Sequence, residues 1–169
     1  DIDLDDRVVD LVEEGYDLAI RITKLADSTL IARRLAPFRL LLCASPALVA
    51  KYGSPKHPRD LQTLPCVVDT NGRYRYNWPF RDPDGSQFSV PVESQFEANS
   101  PFAVRAAAMA SIGFALIPDF IAQPAIESGQ LVSLLEEYLD DGRGIFAVFP
   151  DRRHLPARVR VLVDFLAQW

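Results

Sequence analysis

The chain has 169 residues, of which 49% are hydrophobic and 24% are charged, which suits one ordinary domain or two small lobes and excludes a disordered segment. The net charge of −5 excludes a general electrostatic attraction to nucleic acid or to an anionic membrane. No apolar run approaches ~18 residues, so the sequence predicts no membrane span. No cysteine or histidine spacing fits a metal site, and we expect none.

The two cysteines, Cys43 and Cys66, each lie in an apolar run. We expect both to be reduced and buried, because a free cysteine behaves as a small hydrophobic residue. The sequence alone does not bring them close enough for a disulfide. Together with the lack of a secretory signal in the first residues, this favours a cytoplasmic protein. The opening letters, DIDLDDR, are typical of the middle of a domain.

The N-terminal part predicts a strand, a helix and a second strand. Residues 1–6 alternate in polarity as a short strand does, and residues 6–15 place valines and leucines on one side of a helix that a glycine ends. The segment YDLAIRI, residues 16–22, predicts a buried strand. This order predicts parallel pairing of the two strands. Residues 30–45 then predict two strands with a break at Pro37.

The middle of the chain begins with a well-marked helix. Ser45 is a good N-cap, Pro46 suits the first helical position, and Gly53 suits the end. The elements that follow are a loop with one helical turn over 54–65, a strand over 66–70, a hairpin over 75–92 with its turn at Asp82–Gly85, and a strand over 94–98.

The stretch NSPFAVRAAAMASIGFALIPDF, residues 99–120, predicts a helix followed by a buried strand. Asn99 and Ser100 are good N-caps, and Pro101 follows in the first turn. Gly113 is the expected end of the helix. The remaining elements are a helix over 118–129 with a kink at Pro124, a strand over 130–135, a polar connection over 138–144, a strand over 145–150, and an amphipathic helix over 155–169 with Val159, Leu162, Val163 and Leu166 on its apolar face.

This order of elements predicts two α/β lobes, one inserted into the other. The outer lobe would comprise residues 1–43 and 144–169, and the inserted lobe residues 44–143. The chain would cross twice between the lobes, and a cleft between two such lobes usually binds a small molecule.

No catalytic group stands out in the sequence. The motifs of phosphate loops, dinucleotide loops, nucleophile elbows and zinc helices are absent. His57 lies in a polar loop, where we expect it to be exposed, and His154 precedes the last helix as a cap or a surface contact. Neighbouring carboxylates, as in DLDD and LDDGR, are typical of solvated turns and caps.

The helix start at Ser100 offers binding rather than catalysis. The N–H groups of Phe102, Ala103 and Val104 would point out of this helix end, which can hold a carboxylate or another anion. The alternative is that Ser100 merely caps an ordinary helix.

Four long segments carry a family resemblance: LDDRVVDLVEEGYDLAIRI, LIARRLAPFRLLLCASPALVAKYGSPKHPRDL, ANSPFAVRAAAMASIGFALIPDF and GIFAVFPDRRHLPARVRVLVDFLAQW. In this order they resemble the effector-binding domain of LysR-type transcriptional regulators. The resemblance implies a fold like that of type 2 periplasmic binding proteins, with two Rossmann-like lobes and a hinge. It also implies a domain without catalytic activity and without a cofactor.

The resemblance further implies partners and site residues. The partners are a small-molecule effector, often an organic acid, and further copies of the chain in a homodimer or homotetramer. DNA is also a partner, but only an N-terminal winged helix-turn-helix outside this chain would contact it. No membrane is implied. Carried over by position, the effector contacts are Arg21, Ile22, Thr23, Asn99, Ser100, Pro101, Phe102, Pro118, Asp119 and Phe149. Phe102 and Phe149 could equally belong to the core.

The chain departs from the family pattern before Ile2, where members have a further strand and helix. We therefore expect a gap in the outer sheet, which a longer chain or a partner would fill. Two other functions stay open. One is a solute-binding protein that serves a transporter, whose fold would be similar, and the other is a small enzyme, for which the sequence offers no titratable cluster.

Overall fold

The computed structural model describes residues 1–3, 9–23, 30–72, 74–139, 142–150 and 156–168. The strands in chain order are β1 Ala19–Thr23, β2 Leu30–Pro37, β3 Leu40–Ala44, β4 Cys66–Asp69, β5 Asn77–Arg81, β6 Gln87–Pro91, β7 Ser94–Ala98, β8 Phe114–Pro118, β9 Val132–Leu134 and β10 Gly144–Pro150. The helices are α1 Pro46–Tyr52, α2 Pro101–Met109, α3 Asp119–Glu127 and α4 Ala157–Leu166, with short 3-10 helices at Pro58–Thr63 and Glu136–Tyr138.

The chain divides into two compact units. The first comprises Asp1–Phe38 and Gly142–Trp169, and the second comprises Arg39–Asp141. β3 belongs to the second unit because both of its neighbours, β8 and β9, are strands of that unit. The expected outer lobe, residues 1–43, included most of β3, so the first boundary lies earlier in the chain than expected. The second boundary also lies slightly earlier, at residue 142 rather than 144.

The first unit is built on a three-stranded sheet in the order β1–β10–β2, with both pairs antiparallel. Helix α4 packs its buried Val159 and Val163 against Ala147 and Phe149 of β10. On the other face, Leu11 packs with residues of β10. The predicted apolar face of α4 is only partly confirmed, because Leu162 is 46% exposed.

The predicted N-terminal strand and helix are not found in the described residues. Residues 1–3 form no strand and residues 11–15 form a turn, while residues 4–8 lie outside the described part. The Asp10 carboxylate accepts the N–H groups of Val12 and Glu13 at 2.9 and 3.0 Å, which stabilises a local turn in place of a helix. The predicted parallel pairing joined the second strand to residues 1–6, of which residues 4–6 lie outside the described part; the partner that the structure shows for β1 is β10, and this pair is antiparallel.

The second unit is built on a five-stranded sheet in the order β7–β4–β8–β3–β9. Strands β7 and β8 both run parallel to β4, whereas β3 runs antiparallel to β8 and β9. Helices α2 and α3 cover one face of the sheet with a cluster that includes Val104, Ala107 and Ile121. The other face packs against α1 and the β5–β6 hairpin, through a second cluster that includes Leu48 and Trp78. Successive residues of β3, β4 and β8 alternate between the two clusters, as the pleat of a strand requires.

Short-range predictions in the second unit are confirmed. The Ser45 hydroxyl caps α1 by accepting the N–H of Leu48 at 3.1 Å, and Gly53 ends that helix. The hairpin turn closes where expected, with the N–H of Gly85 donating to the carbonyl of Asp82 at 2.8 Å. Both cysteines are free and buried, as predicted, and burial raises the pKa of each thiol to about 12.

The role of Gly113 differs from the prediction. Helix α2 ends at Met109, and Ser111 takes the left-handed conformation beyond it, with φ 62°. Gly113 instead lies where β8 approaches β4 so closely that a Cβ atom would stand 2.8 Å from the carbonyl oxygen of Pro65. This close approach, and not the helix end, requires glycine.

Candidate functional site

The carboxyl ends of the parallel strands β7, β4 and β8 lie side by side along one edge of the five-stranded sheet. Ligands of open α/β sheets bind at this kind of edge. The residues at and just beyond these strand ends are called the rim below. The rim comprises residues 69–71 at the end of β4, residues 99–102 after β7, and residues 118–119 at the end of β8.

The start of α2 places a helix N-terminus on the rim. Ser100 is extended, with φ −137° and ψ 124°, and its carbonyl accepts the N–H of Val104 at 3.0 Å. Val104 therefore makes the first hydrogen bond of the helix, and the prediction that its N–H is free is wrong. The amides of Phe102 and Ala103 precede that bond. The Ser100 hydroxyl makes no capping hydrogen bond, so Ser100 does not act as an ordinary N-cap.

The loop after β4 holds the chain that leads into α2. The N–H of Thr70 donates to the carbonyl of Ala98 at 2.8 Å. The side-chain amide of Asn71 donates to the carbonyl of Asn99 at 2.9 Å. Asn71 is not among the predicted site residues, although its position directly after a strand, and before Gly72, was a signal for a strand-end turn.

The start of α3 carries its own carboxylate. Asp119 accepts the N–H of Phe120 at 2.8 Å and pairs with Arg39, whose Nε lies 3.5 Å from the carboxylate. The N–H of Asp119 in turn donates to the carbonyl of Arg39 at 3.0 Å. Asp119 therefore stabilises the start of α3, and Arg39 is a basic rim neighbour that sequence reasoning did not single out.

Aromatic rings and a cation lie beside the two helix starts. Phe102 is 60% exposed and Phe120 is 56% exposed. The guanidinium carbon of Arg105 lies 5.6 Å from the centre of the Phe102 ring, and its Nη1 donates to the carbonyl of Ile121 at 3.1 Å. Arg105 thus links the first turns of α2 and α3. Of the two possible roles of Phe102, core or surface, the structure favours the surface.

The predicted site residues of the first unit have mixed surroundings. Arg21 is half-buried on β1 and donates from Nη2 to the carbonyl of Val9. Ile22 is exposed and Thr23 is half-buried. Phe149 is buried among the residues under α4, so its side chain belongs to the core, which is the alternative that the sequence also allowed.

His57 has a structural role in the second unit. Its Nδ1 accepts the N–H of Arg59 at 3.2 Å, and its ring stacks on Phe88 with 5.8 Å between ring centres. It is half-buried rather than exposed, which differs from the prediction. His154 lies outside the described residues. Among the described residues, no three His, Cys, Asp or Glu side chains converge as metal ligands, and no helix is both long and apolar enough to cross a membrane.

Comparison with known proteins settles the family. The family model of the LysR substrate binding domain matches residues 1–169. The chain belongs to this LysR family. It is 38% identical over 168 residues to the HTH-type transcriptional regulator DmlR of Escherichia coli K12, covering 99% of this chain and 54% of the relative. It is 35% identical to an uncharacterized HTH-type transcriptional regulator of Haemophilus influenzae, covering 94% of this chain and 55% of the relative. The chain thus spans about half the length of these relatives.

Solved LysR-type regulatory domains share the fold. The regulatory domain of AphB from Vibrio vulnificus superimposes with a TM-score of 0.76 at 27% identity, covering 96% of this chain and 79% of that one. The regulatory domain of CrgA, a LysR-type transcriptional regulator from Neisseria meningitidis, gives a TM-score of 0.75 at 30% identity, covering 93% of this chain and 76% of that one. The α/β fold class that the sequence predicted is therefore confirmed.

In this LysR-family domain, the second unit brings one group of the predicted site residues together on the rim. These are Asn99, Ser100, Pro101, Phe102, Pro118 and Asp119. The other predicted site residues, Arg21, Ile22, Thr23 and Phe149, lie in the first unit.

Proposed function

We propose that the chain is the effector-binding domain of a bacterial LysR-type transcriptional regulator, and that the rim binds an anionic effector, most simply an organic acid. The family match over the whole chain and the regulator names of the relatives support the first part. The same relatives disfavour a transporter's solute-binding protein and an enzyme. The chemistry of the rim supports the second part.

The proposal of an anionic ligand is supported by a difference between the two helix starts on the rim, those of α2 and α3. Both starts carry the partial positive charge of a helix N-terminus. At α3, the Asp119 carboxylate already accepts an amide hydrogen bond. At α2, the first turn contains no acidic residue and the Ser100 hydroxyl caps nothing. An external carboxylate is thus favoured at α2, where the Ser100 hydroxyl and the amides of Phe102 and Ala103 can donate to it.

The partners of the whole protein are part of the same proposal. The effector would change how a homodimer or homotetramer binds DNA, and an N-terminal winged helix-turn-helix outside these residues would make the DNA contact. A domain with a net charge of −5 suits a sensing role better than direct contact with phosphates. Arg21, Ile22 and Thr23, which the resemblance assigns to the effector, remain predictions for the first unit.

The test uses two substitutions at one position. Ser100→Asp places a carboxylate at the start of α2, where it caps the helix and excludes an external anion. We expect it to abolish binding of succinate and benzoate in isothermal titration calorimetry while the protein stays at least as stable as the wild type. Ser100→Ala removes one donor and should weaken binding about fivefold.

The matched control is Gln62→Glu, which makes the same change of charge on the exposed surface of the 3-10 helix Pro58–Thr63. It should bind both acids as the wild type does. Wild-type binding that Ser100→Asp leaves unchanged would contradict the proposed site. A wild-type protein that binds neither these nor other small carboxylates would contradict the ligand class.

A further inference from the structure

We infer that Asn71 is a positioning residue for the anion site at the start of α2, an inference that rests on the proposed function. Asn71 follows β4, and its side-chain amide donates to the carbonyl of Asn99 at 2.9 Å. The preceding carbonyl, that of Ala98, accepts the N–H of Thr70 at 2.8 Å. The loop after β4 thus holds two consecutive carbonyls of the chain as it leaves β7 and enters α2.

The carbonyl that Asn71 holds belongs to the same peptide unit as the N–H of Ser100. A trans peptide is planar, so its C=O and N–H point in opposite directions. A hydrogen bond that draws the Asn99 carbonyl towards Asn71 therefore turns the Ser100 N–H away from Asn71. Pro101 has no N–H, so the Ser100 amide is the backbone donor that precedes those of Phe102 and Ala103 along the chain. The direction of one peptide thus decides whether this donor joins the site.

Asn71 is itself held in place by its own loop. Its backbone N–H donates to the Asp69 carboxylate at 3.0 Å, and the N–H of Gly72 donates to the Asp69 carbonyl at 3.2 Å. Arg75 closes the loop from the far side, with Nε donating to the carbonyl of Thr70 at 2.9 Å. These bonds fix the backbone from which the Asn71 side chain reaches Asn99. The hydrogen bond between Asn71 and Asn99 is therefore in place before any ligand binds.

The bond between Asn71 and Asn99 is exposed. An exposed hydrogen bond contributes little to stability, because water replaces it when it breaks. Its loss should therefore change the direction of the Ser100 peptide and the affinity for an anion more than it changes the folding equilibrium. This separation distinguishes a positioning role from a merely structural one.

The experiment compares Asn71→Ala and Asn71→Asp with the control Asn77→Asp, which makes the same charge change at an exposed position on β5. We expect both Asn71 variants to bind succinate about fivefold more weakly than the wild type, with melting temperatures close to the wild-type value. In ¹⁵N NMR spectra without ligand, the Ser100 amide resonance should shift in both variants. The control should leave affinity and resonance unchanged.

The outcomes separate the two proposals. A wild-type protein that binds succinate, together with Asn71 variants that bind it equally well and keep the Ser100 resonance in place, would overturn the role of Asn71 alone. Weaker binding with an unmoved Ser100 resonance would also overturn it, because the effect would not pass through that peptide. A wild-type protein that binds no carboxylate would overturn the proposed site and, with it, the role of Asn71 in binding.

Discussion

Replacing Gly113 by alanine tests how closely β8 must approach β4 to bring their ends together on the rim. The added Cβ would stand 2.8 Å from the carbonyl oxygen of Pro65 and 2.9 Å from the carbonyl carbon of Cys66. Both distances fall well inside ordinary contact distance, and both partners are backbone atoms that cannot rotate away. Relief requires β8 to move from β4, which weakens the bond from the Phe114 N–H to the Pro65 carbonyl, now 2.8 Å long.

The expected cost of this substitution follows from three terms. Overpacking a well-packed core costs about 1–3 kcal/mol, and a weakened hydrogen bond adds up to about 1 kcal/mol. The reduced entropy of the unfolded chain returns roughly 0.5 kcal/mol. We therefore expect Gly113→Ala to lower the free energy of unfolding by about 2 kcal/mol, the middle of the range that these terms span, measured by urea titration with the fluorescence of the buried Trp78.

The matched control is Gly129→Ala. Gly129 has φ +74° and nothing within 4 Å of an added Cβ, so this variant tests backbone conformation without crowding. It should cost about 1 kcal/mol. If Gly113→Ala cost no more than Gly129→Ala, the close approach of the strands would not be the reason for glycine at 113.

Three further predictions concern the second unit. Ser45→Ala removes a buried helix cap whose hydroxyl also forms a hydrogen bond with the Ser111 hydroxyl at 2.7 Å. Urea titration should show that the free energy of unfolding falls by about 1–2 kcal/mol. A fall of less than about 0.5 kcal/mol would contradict the capping role. Cys43 and Cys66, with pKa values of about 12 against an ordinary 9.0, should resist a thiol-specific disulfide reagent at pH 8 until the protein unfolds, and fast labelling of the native protein would be the contrary result. Because unfolding lowers these two pKa values, their contribution to stability falls as pH rises above 9.0. The backbone N–H of Ser86 donates to the Asp84 carboxylate and lowers the pKa of Asp84, so NMR should show this carboxyl titrating below the ordinary value of 3.8. The ionised carboxylate stabilises the hairpin turn above pH 3.8, and this contribution is lost as the pH falls through the lowered pKa. A titration midpoint at or above 3.8 would contradict this role.

The sequence was informative where neighbouring residues decide the structure. Ser45 and Pro46 begin a helix, and Asp82–Gly85 forms a turn, through contacts within a few residues of chain. Local sequence signals gave a wrong prediction where a different local hydrogen-bonding pattern competed with the helix. At Asp10, a carboxylate that bonds the next amides formed a turn in a segment whose apolar spacing suits a helix.

Distant contacts account for what the sequence could not predict. The bond between Asn71 and Asn99 joins residues 28 positions apart, and it depends on β4 and β7 being neighbours in the sheet. Phe102 and Phe149 look alike in the sequence, yet one is exposed at a helix start and the other is buried under α4. Which strand lies beside which, and which face a helix covers, are properties of the packed fold rather than of a local pattern.

A ¹⁵N NMR titration of the protein with succinate and, separately, with benzoate tests directly whether the start of α2 binds the effector. We expect saturable shifts that are largest for the amides of Ser100, Phe102 and Ala103, with the Phe102 ring protons shifting further when benzoate is the ligand. Saturable shifts centred on another element, or the absence of any saturable shift, would contradict the assignment of the α2 start as the effector site.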